Sequence, residues 1–93
     1  MTTLIRIKKS TRKDKKYMAV FGPDRKTVHF GAKGYEDYTI HHDDKRKESY
    51  LRRHKVRENW NDPTTAGSLS RYVLWNKKSF RASVADYKKR FKL

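Results

Sequence analysis

Apolar positions in the first third of the chain recur with the two-residue period of strands. From Thr3 to Lys8, Leu4, Arg6 and Lys8 share one parity and Ile5 and Ile7 the other, which predicts an edge strand. Tyr17–Phe21 and Lys26–Phe30 are apolar-rich runs around Gly22-Pro23-Asp24-Arg25, where proline and aspartate suit a turn, so the pair reads as an antiparallel hairpin. The segment between the first two strands, residues 9–16, has no apolar side chain and a dense run of cations; it reads as a mobile basic loop. Gly31-Ala32-Lys33-Gly34 then ends the sheet.

Beyond this point the period lengthens. Asp43 and Asp44 supply a cap and an acidic first turn for a helix running to about Glu58, with Tyr50, Leu51, His54 and Arg57 on its inner side. Asn61-Asp62-Pro63 breaks it, and Leu69, Tyr72 and Val73 mark a short second helix through about Trp75. Ser79 caps a final helix whose Phe80, Val84, Tyr87 and Phe91 form an apolar stripe. The order predicts an α+β fold: a small antiparallel sheet of about three N-terminal strands, then three short helices against one of its faces. Residues 1–31 form the sheet region and 37–93 the helical region of one domain, since 93 residues leave room for a single modest core.

Composition changes the picture in one direction. Twenty-five lysines and arginines face ten aspartates and glutamates, a formal net charge of +15, and such self-repulsion calls for an anionic partner. With no cysteine, neither disulfides nor a thiolate zinc site can staple the fold. No apolar run approaches the ~20 residues of a membrane span, and the first residues lack a signal peptide's apolar stretch, so a protein that is neither membrane-spanning nor secreted is expected.

The strongest candidate chemistry is the basic helix. Lys45, Arg46 and Lys47 with Arg52, Arg53, Lys55 and Arg57 can neutralise successive phosphates and release their counterions. Lys9, Arg12 and Lys13 of the loop offer a second cationic patch, giving affinity without sequence preference. Trp60, near Arg57 and Arg71, and Trp75, near Lys77 and Lys78, read either as platforms for unpaired bases or as core residues of a domain short of aliphatics. Gly31–Gly34 lacks the spacing of a phosphate-binding loop. His41, His42, Asp43, Asp44 and His54 are the only residues that could form a metal or nuclease site, but adjacent side chains seldom converge on one ion. No paired-acid motif stands out, and neither a catalytic residue nor a cofactor or metal is assigned.

The segment Phe30-Gly31-Ala32-Lys33-Gly34-Tyr35-Glu36-Asp37-Tyr38-Thr39-Ile40-His41, with Arg46-Lys47, Tyr50 and Arg53-His54, resembles a small family of basic proteins from large nucleocytoplasmic DNA viruses, especially algal phycodnaviruses. The likeness continues through Arg57-Glu58-Asn59-Trp60, Thr65-Ala66-Gly67, Leu69-Ser70-Arg71-Tyr72, Leu74-Trp75-Asn76-Lys77 and Ala82-Ser83, spanning roughly Tyr17 to Phe91 and leaving out the first strand and the basic loop. Lys78 stands where that family's pattern has proline, which loosens the turn before the last helix. The family has no known function; the resemblance implies a viral origin, hence a place in the virion or the infected cell (nucleus or cytoplasmic virus factory), and lends no catalytic residue. Charge and resemblance together point to a non-enzymatic protein that binds nucleic acid, DNA rather than RNA, mainly through backbone contacts. A minor capsid component, touching capsid proteins and either the genome or an anionic membrane, is the alternative; a metal-dependent nuclease is a distant third.

Overall fold

The computed structural model describes residues 2–93. Three antiparallel strands, β1 (Thr3–Lys9), β2 (Lys15–Gly22) and β3 (Lys26–Ala32), lie in sequence order. Helices follow: a short α1 (Tyr38–His41), α2 (Asp44–Lys55), α3 (Ala66–Leu69), which runs on into a π-helical turn over Ser70–Leu74, and α4 (Phe80–Phe91). The α+β order expected from the periodicity is therefore the observed one.

Two features of the sheet depart from the simple alternation. Leu4 pairs with Phe21 but Arg6 with Val20, so Ile5 is the extra residue of a bulge. The bulge puts Leu4 and Ile7 on the core side and turns Arg6 and Lys8 away from it, so neither parity group expected for β1 stays together. The basic loop is also shorter and better held than expected. Lys9, Lys15 and Lys16 belong to strands, and the remaining turn is tied by Ser10 N–H to Lys16 O (3.1 Å), Arg12 N–H to Ser10 Oγ (2.9 Å) and Lys33 N–H to Asp14 O (3.0 Å). These bonds replace a mobile arm with a turn fixed to β3.

The helices begin where short polar side chains can take up free amides. Asp37 caps α1, Asp43 accepts from Lys45 and Arg46 at α2, Thr65 caps α3 and Ser79 accepts from Ala82 at α4. Helix α2 stops at Lys55, short of Glu58, and the turn α1 had no apolar period to announce it.

One face of the sheet supplies Ala19, Phe21 and Phe30 to a core completed by Leu69, Val73, Leu74 and Tyr87. Tyr17 stacks on Phe80 at 4.8 Å, bringing the start of α4 against the sheet. The buried Tyr87 hydroxyl donates to the carbonyl of Pro63, and burial raises its pKa. Gly31 is required where it stands: its φ is +80°, and a Cβ there would meet Leu74 Cδ1 at 2.8 Å, so the chain passes beneath the π-helical turn only without a side chain.

Candidate nucleic-acid interface

The cations of α2 do not form one surface, because 3.6 residues per turn distribute them around the axis. Tyr50 is buried and fixes the inner side. Its ring lies parallel to Trp75 at 4.2 Å and stacks on His54 at 4.2 Å. Lys47 falls on this inner side: its Nζ donates to Asn76 O (2.6 Å) and sits over the Tyr38 ring, and burial, with Arg71 and Lys77 nearby, lowers its pKa. Arg46 and Arg53 flank a cleft of about 660 Å³ between α2, the end of β3 and the α3 segment. Only Lys45, Arg52 and Lys55 point to solvent on the far side, all exposed. Glu48 interrupts this face and pairs with Arg52 at 2.8 Å.

The other expected contact residues fall into two classes. Lys9, Arg12 and Lys13 gather at the β1–β2 turn, and Arg57, Lys77 and Lys78 are exposed in loops. Trp60 and Arg71 are half-buried and already engaged. Trp60 Nε1 donates to Glu58 (2.8 Å), and the Arg71 guanidinium lies 5.5 Å from the Trp60 ring and 4.9 Å from that of Tyr72 while donating to Trp75 O. Of the two roles open to the tryptophans, the packed one describes Trp75, whose ring closes the aromatic wall of the cleft.

The carboxylates explain why so much charge stays free. Asp14, Glu36, Asp37, Glu48 and Asp86 form ion pairs with Arg12, Arg46, Lys16, Arg52 and Arg90. Asp43 caps a helix, Asp44 accepts from the Tyr38 hydroxyl, Glu58 contacts His54 and Trp60, Asp62 accepts from Thr64, and Asp24 from the Lys26 amide. Every acidic side chain thus has a local partner, while most lysines and arginines have none among the described residues.

Two of these acids should contribute stability that is lost in acid. The Asn76 amide, then Arg90 beside it, holds Asp86 below the ordinary carboxylate range, and the Thr64 amide and hydroxyl do the same for Asp62. A lowered folded-state pKa gives stability present above the unfolded value and lost as pH falls through the folded one. The unfolding midpoint should therefore drop as pH falls below about 4, and Asp86→Asn should flatten that drop in a thermal-unfolding series.

The histidines do not converge. His41 Nδ1 accepts from the Asp43 amide, His42 contacts Thr39 O and His54 contacts Glu58. Among the described residues no group of three or more histidine, aspartate or glutamate side chains is placed to hold a metal ion, and no helix is long and apolar enough to cross a membrane.

Arg6 also sits with Thr27 and His29 on the side of the sheet away from the core; the bulge at Ile5 separates Arg6 from Leu4, whose parity it shares in the sequence. A family model described as "Family of unknown function (DUF5754)" matches residues 5–54. The match begins within β1, takes in the basic turn and ends within α2. No curated protein and no solved structure matches.

Proposed function

The chain belongs to this family of unknown function, and from its uncompensated charge we propose that it is a non-enzymatic nucleic-acid-binding protein that acts on DNA chiefly through phosphate contacts. The observation that carries this is that each of the ten acids has a hydrogen-bond or ion-pair partner within the fold, only five of them against a lysine or arginine, while most of the twenty-five lysines and arginines have no ion-pair partner among the described residues. Lys45 and Lys55 on α2, and Lys9 and Lys13 at the β1–β2 turn, are exposed heads without an ion-pair partner among the described residues, and Arg52 and Arg12 lie beside them in surface pairs with Glu48 and Asp14. Each phosphate neutralised releases condensed counterions, so affinity arises without base contacts. The setting we propose, from the sequence resemblance, is the genome of a large DNA virus.

Lys45→Ala/Arg52→Ala/Lys55→Ala should weaken duplex binding and shrink the slope of log K against log salt by about 2 to 3, roughly 0.9 for each phosphate that is no longer neutralised. An unchanged slope would remove α2 from the interface. A second reading, a virion structural component, is favoured by the exposed apolar side chains of Tyr35, Ile40 and Val56. It expects a fixed copy number in particles and weak DNA binding by the purified chain.

A further inference from the structure

The sheet is covered on one side only. Ala19, Phe21 and Phe30 face the helices, and the register places Arg6 and Lys8 of β1, Met18 and Val20 of β2, and Thr27 and His29 of β3 together on the opposite face. Met18 and Val20 are only 9% and 7% exposed although neither belongs to the core cluster. Their cross-strand neighbours are Lys8 and His29 for Met18, and Arg6 and Thr27 for Val20, so these two apolar side chains are buried between polar margins and the face is polar where it meets solvent.

We propose that this uncovered face is the surface that lies in the groove of duplex DNA, with Arg6 and Lys8 directed at base edges or the flanking phosphates. The proposal rests on the nucleic-acid-binding reading and adds to it the surface and the form of the ligand. Charge complementarity supports it first. None of the three strands contains an acidic residue, and Arg6 and Lys8 are exposed and form no ion pair among the described residues.

Shape agrees. Neighbouring strands lie ~4.8 Å apart, and the major groove of B-form DNA, about 12 Å wide, admits a two-stranded ribbon, which the edge pair β1 and β2 supplies with Arg6 and Lys8 on it. Chemistry agrees as well. Major-groove edges present guanine acceptors, which suit Arg6 and Lys8, while the buried Met18 and Val20 hold the strand between them and β3 in place. Ser10 Oγ and His29 Nδ1 share a hydrogen bond of 2.7 Å, which fixes that ring on the face. The far side of the sheet is anchored in the core, so the surface is presented on a rigid support. The deep, narrow major groove of A-form RNA does not admit such a face.

The test compares the full chain with Arg6→Ala/Lys8→Ala and Thr27→Ala/His29→Ala, using a short DNA duplex and the matching RNA duplex. Circular dichroism checks that each variant folds, and methylation at guanine N7 reports contact in the major groove. The expected result is N7 protection by the unaltered chain, a loss of affinity of about tenfold or more for Arg6→Ala/Lys8→Ala, a smaller loss for Thr27→Ala/His29→Ala, and disappearance of the protection. Tight DNA binding with affinity unchanged in the folded Arg6→Ala/Lys8→Ala variant, or without N7 protection, overturns the sheet assignment and leaves the proposed function standing. Equal binding of the RNA duplex also overturns it. No binding of any DNA by the unaltered chain overturns the proposed function itself.

Discussion

Phe30→Ala is expected to lower the unfolding free energy by about 3–5 kcal/mol, the usual cost of removing a buried ring and leaving a partial cavity. The Phe30 side chain is 0% exposed and belongs to the cluster that joins the sheet to Leu69, Val73, Leu74 and Tyr87. Its cross-strand partner is Tyr17, with ring centroids 6.0 Å apart, and Tyr17 in turn stacks on Phe80. Losing the ring therefore loosens the packing of β3 on the α3 segment and of the sheet on α4. A small domain holds only about 5–15 kcal/mol in total, so the variant should show a large unfolded fraction at moderate urea. Val56→Ala, at an exposed position, should stay within about 0.5 kcal/mol. Equal losses for both, read from urea midpoints at unchanged m-value, would mean that the core is not where the structure places it.

Lys16→Met should cost a comparable amount for a different reason. Lys16 Nζ donates to Asp37 Oδ2 at 2.7 Å, and the side chains of the pair are only 14% and 3% exposed. The other carboxylate oxygen of Asp37 caps α1 through the Thr39 amide and hydroxyl, so this one carboxylate ties β2 to the first helical turn. Removing the lysine leaves a buried anion without its cation, a loss of about 3–5 kcal/mol. Adding Asp37→Asn should recover much of it, because asparagine keeps an acceptor for the cap and carries no charge. Additive losses in the double variant would show that the pair is not coupled.

Much of this architecture is legible in the chain. The hairpin follows from two apolar runs around Pro23-Asp24, and α4 from a serine cap followed by Phe80, Val84, Tyr87 and Phe91 at helical spacing. The bulge at Ile5 was not, because pairing shifts depend on strands that meet only in the fold; one extra residue exchanged the faces of Arg6 and Ile7. The basic turn looked mobile because its bonds run from Lys33 and from His29, distant in sequence. Helix α2 looked like a single cationic face because charge counting ignores angle. Once Tyr50 sets the inner side, Lys47 turns inward, Arg46 and Arg53 face the cleft, and Lys45, Arg52 and Lys55 remain outside. Lys16 read as one more loop cation, and nothing local in the sequence couples it to Asp37, twenty-one residues away.

The uncompensated positive surface, we propose, serves a polyanion. Titrating a DNA duplex with the purified chain over a range of monovalent salt tests it most directly. Tight binding at low salt is expected, with a log K that falls linearly with log salt at a slope of about −3.6 or steeper, as when four or more phosphates are neutralised. A flat dependence, or no binding at low salt, would contradict it.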